Sequence, residues 1–252
     1  MVQDDLIYGR NAVLEALRSG HSINKVYIQE NAKPGGIGEI IALAQAQHLV
    51  TETVKCEKLD KLTDGARHQG VVAMVAPVQF STLEEVFRRA AVKAEPPFVL
   101  LLDELQDPQN VGALIRTADA AGVHGVLIPK RHGCPLNATV AKISAGAVEY
   151  VPVVQIGNIS QTIEELQTKY NCWVVGADMD GSDYTQTNLQ GPLVLVVGAE
   201  GKGLGRLVKE RCDAIVSLPM HGGVNSLNAS VAGAILMYEV VRQRGVAACK
   251  GK

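Results

Sequence analysis

Between residues 98 and 218, short apolar runs recur at intervals that a helix and its turns can fill. The runs are Val99–Leu102, Gly125–Ile128, Val151–Val154, Trp173–Ala177, Leu193–Val197 and Ile215–Leu218. Runs that stay apolar, rather than alternating with polar residues, belong to strands covered on both faces. With helix-length stretches between them, they predict a parallel, doubly wound α/β sheet. A chain that is 47% hydrophobic but only 4% aromatic, rich in Val, Ala, Leu, Ile and Gly, suits such a sheet.

Ahead of these runs, residues 7–76 also alternate between helix and strand. Asn11 to Arg18 is amphipathic, and Lys25 to Gln29 reads as a strand. Gly38 to Gln47 reads as a helix, and Leu49 to Val54 and Gly70 to Val75 as further strands, which predicts a small α/β sandwich. Ser81-Thr82-Leu83-Glu84 has the form of a capping box opening a short charged helix. Ala94-Glu95-Pro96-Pro97 then breaks it. The expected division is therefore residues 1–77 as a first domain, 78–97 as a linker and 98–245 as a second domain.

A formal charge of −2 excludes a global polycation, so a nucleic-acid partner would have to be met by local basic patches. One candidate joins Lys130-Arg131-His132 and Lys142 to Lys202, Arg206 and Lys209; another joins Arg10, Arg67 and His68. Five scattered cysteines, odd in number and without a C-x-x-C pair, predict reduced thiols in a cytosolic protein. Cys172 and Cys212, beside apolar runs, read as core residues rather than nucleophiles. Each histidine stands apart from any ligand-spaced partner, so no metal is expected. No uncharged apolar run reaches the ~18 residues of a membrane span, and no signal peptide opens the chain.

Two joints near the C-terminus carry the chemistry. Leu193–Val197 runs into Gly198-Ala199-Glu200-Gly201-Lys202-Gly203-Leu204-Gly205, where backbone amides are accessible and a single carboxylate follows a buried strand. The loop is not a P-loop, because Lys202 is followed by Gly203, and its glycines do not have dinucleotide-binding spacing. The second joint follows Leu218-Pro219-Met220, where Asn225-Ser226-Leu227-Asn228-Ala229-Ser230 crowds short polar groups ahead of an apolar helix. One helix cap does not need so many. Side by side, such joints would form a pocket at the carboxyl ends of parallel strands. A third segment, Asp107-Pro108-Gln109-Asn110-Val111-Gly112, opens a helix carrying Arg116. Asn110 would face the strand ends, Gly112 would leave room for an approaching group, and Arg116 could reach an anion there. The small face Ala229, Ala232, Gly233 and Leu236 would permit close approach of another helix, and a dimer contact is expected there.

Taken in order, these segments resemble the three motifs of the SpoU (TrmH) family of RNA ribose 2′-O-methyltransferases, within the SPOUT superfamily. They stand here as N110-x-G-x-x-x-R116, V197-G-A-E-G-x-G203-L, and L218-P-M220 with S226-L-N-A-S230. Tyr8-Gly9-Arg10-Asn11-Ala12-Val13-Leu14-Glu15-Ala16-Leu17 and His68-Gln69-Gly70-Val71 add a resemblance to the RNA-binding module ahead of the bacterial 23S rRNA guanosine 2′-O-methyltransferases. That module is similar in fold to kink-turn-binding ribosomal proteins.

The resemblance implies a deep trefoil knot in the second domain, a feature that general topology rules would count as essentially absent. It implies S-adenosyl-L-methionine (AdoMet) as cofactor without a metal, held by Gly198, Glu200, Gly201, Leu218, Met220, Ser226 and Leu227. It further implies a cytoplasmic homodimer that methylates the ribose of a guanosine in 23S rRNA, with neither DNA nor a membrane as partner. The expected catalytic set is Asn110, Arg116, Glu200, Ser226 and Asn228, with Arg116 clamping phosphate and stabilising the alkoxide. A guanidinium keeps its proton in proteins, so that role is easier than general base. Within the class, a tRNA ribose methylase or an antibiotic-resistance rRNA methylase is the alternative. A catalytically silent ribosome-assembly protein would have no need of all these polar groups, and a kinase or dehydrogenase fails on loop spacing.

Overall fold

The computed structural model describes residues 6–18, 21–32, 35–76, 79–223 and 226–250, with side chains to residue 245. Asn225, part of the third motif, lies outside the described residues. The chain divides into two compact units, one of residues to Gln79 with Pro135–Thr139, the other of Phe80–Cys134 and Val140 onward.

The first unit is built on a four-stranded mixed sheet. Its strands are β1 (Leu6–Tyr8), β2 (Ile23–Gln29), β3 (Val50–Val54) and β4 (Val71–Val75), in the order β1-β4-β2-β3. Only β2 and β3 are parallel; β4 runs antiparallel to both β1 and β2. Alternation along β2 and β4 divides the apolar residues between the faces. Val26, Ile28, Val71 and Ala73 pack with Val13, Leu17 and Ile40 from α1 (Arg10–Arg18) and α2 (Ile37–Ala46). Tyr27, Val72 and Met74 pack on the other face with Leu59 of α3 (Cys56–Thr63). The expected sandwich is present, with β1 and α3 as additions. β1 has three residues, and α3 buries only Leu59 and Thr63, so neither shows a readable period.

The second unit begins with α4 (Leu83–Lys93), the short charged helix expected after the capping sequence at 81–84. Thr82, one residue beyond the expected cap, accepts the Glu85 amide at 3.3 Å, and Val86 is fully buried in the unit's core. The charges of α4 occupy its outer face, and its apolar side covers the sheet.

Six parallel strands follow: β5 (Phe98–Leu102), β6 (Gly125–Pro129), β7 (Val153–Ile156), β8 (Trp173–Asp183), β9 (Leu193–Val197) and β10 (Ala214–Ser217). Their order is β10-β8-β9-β5-β6-β7. Val99, Leu101, Val194 and Val196 join Val86 with Ile163 and Leu166 of α7 (Ile159–Thr168) and Val208 of α8 (Arg206–Arg211) on one face. On the opposite side, α5 (Pro108–Ala120) packs against α9 (Ala229–Lys250). A Cβ at Gly233 would lie 2.5 Å from Leu114 Cδ2, so these helices meet through bare backbone.

That contact corrects the expected dimer face. Ala229, Gly233 and Leu236 lie on the inner side of α9, with Ala229 and Leu236 buried. Val231, Ile235, Tyr238 and Val241, one turn apart in succession, form an apolar stripe that is 38–52% exposed. α6 (Ala138–Ile143) also fills the space expected above Gly112, since a Cβ there would meet Ile143 Cγ2 at 2.7 Å.

Candidate active site

The carboxyl ends of the parallel parts of β8, β9 and β10 surround a solvent-open cavity of about 110 Å³, in the place where α/β sheets bind ligands. Gly198, Glu200 and Gly201 of the glycine loop line it, together with Leu218, Met220, Ser226 and Leu227 from the stretch between β10 and α9. The loop can take this path because Gly198 has no side chain: a Cβ there would lie 2.3 Å from the Gly203 carbonyl oxygen. Leu227 is 38% exposed although its neighbours toward the sheet are buried, so the slot has an apolar, accessible lip.

Asn228 ties the three motifs together. Its Nδ2 donates to Asn110 Oδ1 at 2.8 Å and also to Glu200 Oε1. The Ala229 amide donates to the same Glu200 oxygen at 3.3 Å. Its own Oδ1 accepts from the Ser230 amide at 3.0 Å, the Ser230 hydroxyl at 2.5 Å and the Val231 amide at 3.3 Å. Asn228, not Ser226, therefore caps α9, and the crowding of polar groups there has two uses, capping and bridging. Asn110 is buried in the first turn of α5, where Asp107 accepts the Gln109 and Asn110 amides at 3.1 and 3.4 Å. Glu200, although it follows a buried strand, is exposed and takes its orientation from Asn228.

The structure does not bring every expected residue to the cavity. Arg116 is exposed on α5 and stands outside the cavity lining, as do Asn110 and Asn228. The basic patch beside the loop is reduced as well. Lys209 is paired with Asp178 at 2.6 Å and with Asp180 at 3.4 Å, and Arg206 with Glu210 at 3.4 Å. In the first unit, Arg10 fastens the fold by donating to the Gly35 carbonyl at 2.5 Å and the Gln69 carbonyl at 3.1 Å.

Two carboxylates escaped the sequence reading. Asp103 follows β5, is 3% exposed, and accepts the Gly205 amide at 2.8 Å. Asp178 lies in β8 on the cavity wall and accepts the Leu204 amide at 3.2 Å. Both follow an apolar run, the same signal that drew attention to Glu200. Burial pushes the Asp103 carboxyl up, with the Gly205 amide opposing. Burial also acts to raise Asp178, but Lys209 and the backbone donors outweigh it and hold the carboxyl below its ordinary value.

A grouping of Cys56, Asp60 and His68 corrects the view that every histidine stands alone, since one ligand atom of each falls within 4.8 Å of the others. Cys56 and Asp60 lie one turn apart on α3, and His68 reaches them from the following loop. The Gly70 amide donates to His68 Nδ1 at 3.0 Å, which leaves the ring proton on Nε2, facing Asp60 Oδ1 at 3.0 Å. A metal on Nε2 would need the opposite tautomer, so these residues read as a fastening for the 68–70 turn. The thiols of Cys134, Cys172 and Cys212 are pushed up to about 12, 11 and 12 by burial, which removes them as nucleophiles.

Comparison with known proteins meets the same segments. The SpoU rRNA Methylase family profile matches residues 97–238, and a profile described as RNA 2′-O ribose methyltransferase substrate binding matches residues 6–81. A TrmH family tRNA/rRNA methyltransferase of Bacillus subtilis is 47% identical over 243 residues, covering 96% of this chain and 97% of the relative. One of Staphylococcus haemolyticus is 46% identical over 244 residues, with 96% and 97% covered. Among solved structures, the SpoU methyltransferase AviRb of Streptomyces viridochromogenes, in complex with AdoMet, superposes with a TM-score of 0.61 at 24% identity, covering 96% of this chain and 90% of that one. The A. aeolicus TrmH/SpoU tRNA modifying enzyme gives 0.56 at 27% identity, covering 66% and 86%. The chain belongs to the SpoU/TrmH family of RNA ribose 2′-O-methyltransferases.

Proposed function

We propose that this protein transfers the methyl group of AdoMet to the ribose 2′-hydroxyl of a guanosine in 23S rRNA. The observation that carries the reading is the Asn110–Asn228–Glu200 bridge, which joins three distant segments through Glu200, a residue that lines the glycine-rich cavity. The lining fits the cofactor. Gly198, Gly201 and Leu218 offer backbone donors and acceptors beside an apolar slot formed with Met220 and Leu227. When bound, AdoMet supplies an electrophilic methyl on a sulfonium. The chain's own residues must hold the ribose in line and stabilise the oxyanion as it develops. Ser226 at the cavity edge and Asn110 through the bridge are assigned to orientation, and Glu200 to receiving the proton.

Arg116 is assigned to the RNA phosphate and the developing alkoxide, because its planar fork can grip an anion from the exposed side of α5. The first unit is assigned to RNA capture, supported by its match to the substrate-binding profile. The exposed stripe Val231, Ile235, Tyr238 and Val241 supports a homodimer formed through α9. The trefoil knot belongs to the same reading, supported by the likeness in fold to the SpoU methyltransferases. The relatives' names admit tRNA as well as rRNA. Mapping 2′-O-methyl groups on rRNA and tRNA from a deletion strain decides between them. Loss of one 23S guanosine methyl is expected; loss confined to tRNA would overturn the rRNA assignment.

A further inference from the structure

The glycine loop that lines the cavity leaves β9, and the two strands flanking β9 in the sheet are β8 and β5. Each neighbour sends one buried carboxylate to the far end of that loop. Asp178 of β8, whose side chain is 4% exposed, accepts the Leu204 amide at 3.2 Å through Oδ2. Asp103, just past β5, accepts the next amide, Gly205, at 2.8 Å. The near end of the loop is closed by the Gly203 amide donating to the Ala199 carbonyl at 2.9 Å. Gly203 rests directly on Asp178. Its φ is +64°, and a Cβ there would lie 2.4 Å from Asp178 Oδ2. The other oxygen of Asp178 pairs with Lys209 Nζ at 2.6 Å, on the helix that begins where the loop ends.

A buried carboxylate is costly unless it is hydrogen-bonded or paired; here the Leu204 and Gly205 amides and Lys209 come from the loop and its helix, and the Asp180 amide adds a local donor to Asp178 Oδ1 at 3.3 Å. We infer that Asp178 and Asp103 are positioning residues that set the shape of the cofactor loop, with Lys209 locking Asp178 in place. The inference rests on the proposed AdoMet reading of the cavity and adds residues that act through the loop. Because both Asp178 oxygens are engaged by Leu204 and Lys209, Asp178 serves the sulfonium and the neutral thioether forms of the ligand alike. Burial acts to raise the Asp178 carboxyl, but Lys209 and the Leu204 and Asp180 amides outweigh it and hold it below its ordinary value.

Calorimetric titration of the full chain with AdoMet and S-adenosylhomocysteine tests this. Asp178→Asn should weaken both ligands by a similar factor, ~10-fold or more, because a charge-assisted hydrogen bond is replaced by a neutral one. Lys209→Met should weaken both in the same sense, and the double variant should fall well short of the product of the single effects, since the two act through one contact. Lys209 is 31% exposed, so its variant decides the matter should Asp178→Asn fail to fold. Variants that bind both ligands as wild type does would overturn the inference while leaving the cofactor reading intact. Loss confined to AdoMet would overturn it too, by making Asp178 a direct partner of the sulfonium. Wild-type protein that binds neither ligand would overturn the cofactor reading and this inference with it.

Discussion

Replacing Asn228 separates its two uses. Asn228→Ala removes the cap of α9, which contributes ~1 kcal/mol in typical helices. It also strips the donor from Asn110 Oδ1 in a residue that is 6% exposed, and an orphaned buried acceptor costs ~1–3 kcal/mol. The Glu200 half of the bridge is exposed and contributes little to stability. The sum is ~2–4 kcal/mol, which at ~2–4 °C per kcal/mol for a chain of this size lowers the melting midpoint by roughly 4–16 °C. Asn228→Ser keeps a capping oxygen and lacks Nδ2, so it should lose only the bridge portion, ~1–3 kcal/mol. Scanning calorimetry with and without S-adenosylhomocysteine reads both effects. Each variant should melt earlier, the Ser variant less so, and each should show a smaller ligand-induced rise. A Ser variant as stable as wild type with the full ligand response would refute the bridge as the element joining the three motifs.

Arg116→Ala should lower kcat ~10²–10³-fold with little change in AdoMet affinity, and Arg116→Lys should recover little, because the fork and not the charge alone is required; full activity in the Ala variant would remove Arg116 from the chemistry. Ile235→Glu or Tyr238→Glu on the exposed stripe of α9 should halve the mass seen by sedimentation equilibrium without loss of helix content. His124 is buried and its imidazole is held below 6.5 chiefly by burial, with Glu95 opposing. Its contribution to stability is complete above pH 6.5 and is lost as pH falls through the lower folded value, because the ring must then charge inside the protein. Denaturant unfolding of His124→Gln from pH 7.5 down to 5 should therefore show a flatter decline than wild type.

Much of the second unit was legible because strands covered on both faces leave unbroken apolar runs; all six fall within two residues of the expected limits except for the long C-terminal extension of β8. That extension, Met179-Asp180-Gly181-Ser182-Asp183, is polar and pairs only with β10, so nothing in its pattern marks it as strand. The glycine loop and the Asn228 turn were legible because their residue types exceed what a turn or a cap needs. Asp103 and Asp178 were not, since a carboxylate after an apolar run reads equally well as a solvated loop residue until its donors are known. The small face of α9 was assigned to a second copy because sequence does not say which helix comes near; α5 takes that place. The Cys56–Asp60–His68 grouping escaped for a similar reason, its third member arriving from a loop.

Methyl transfer to a ribose oxygen is the chemistry proposed for this protein. Purified protein incubated with methyl-labelled AdoMet and unmodified 23S rRNA, then digested with alkali, tests it most directly. A 2′-O-methyl blocks cleavage of the adjoining phosphodiester, so label is expected in one alkali-resistant dinucleotide beginning with guanosine. Label released entirely in mononucleotides would place the methyl on a base and contradict the account, as would an absence of transfer to any RNA by protein that binds the cofactor.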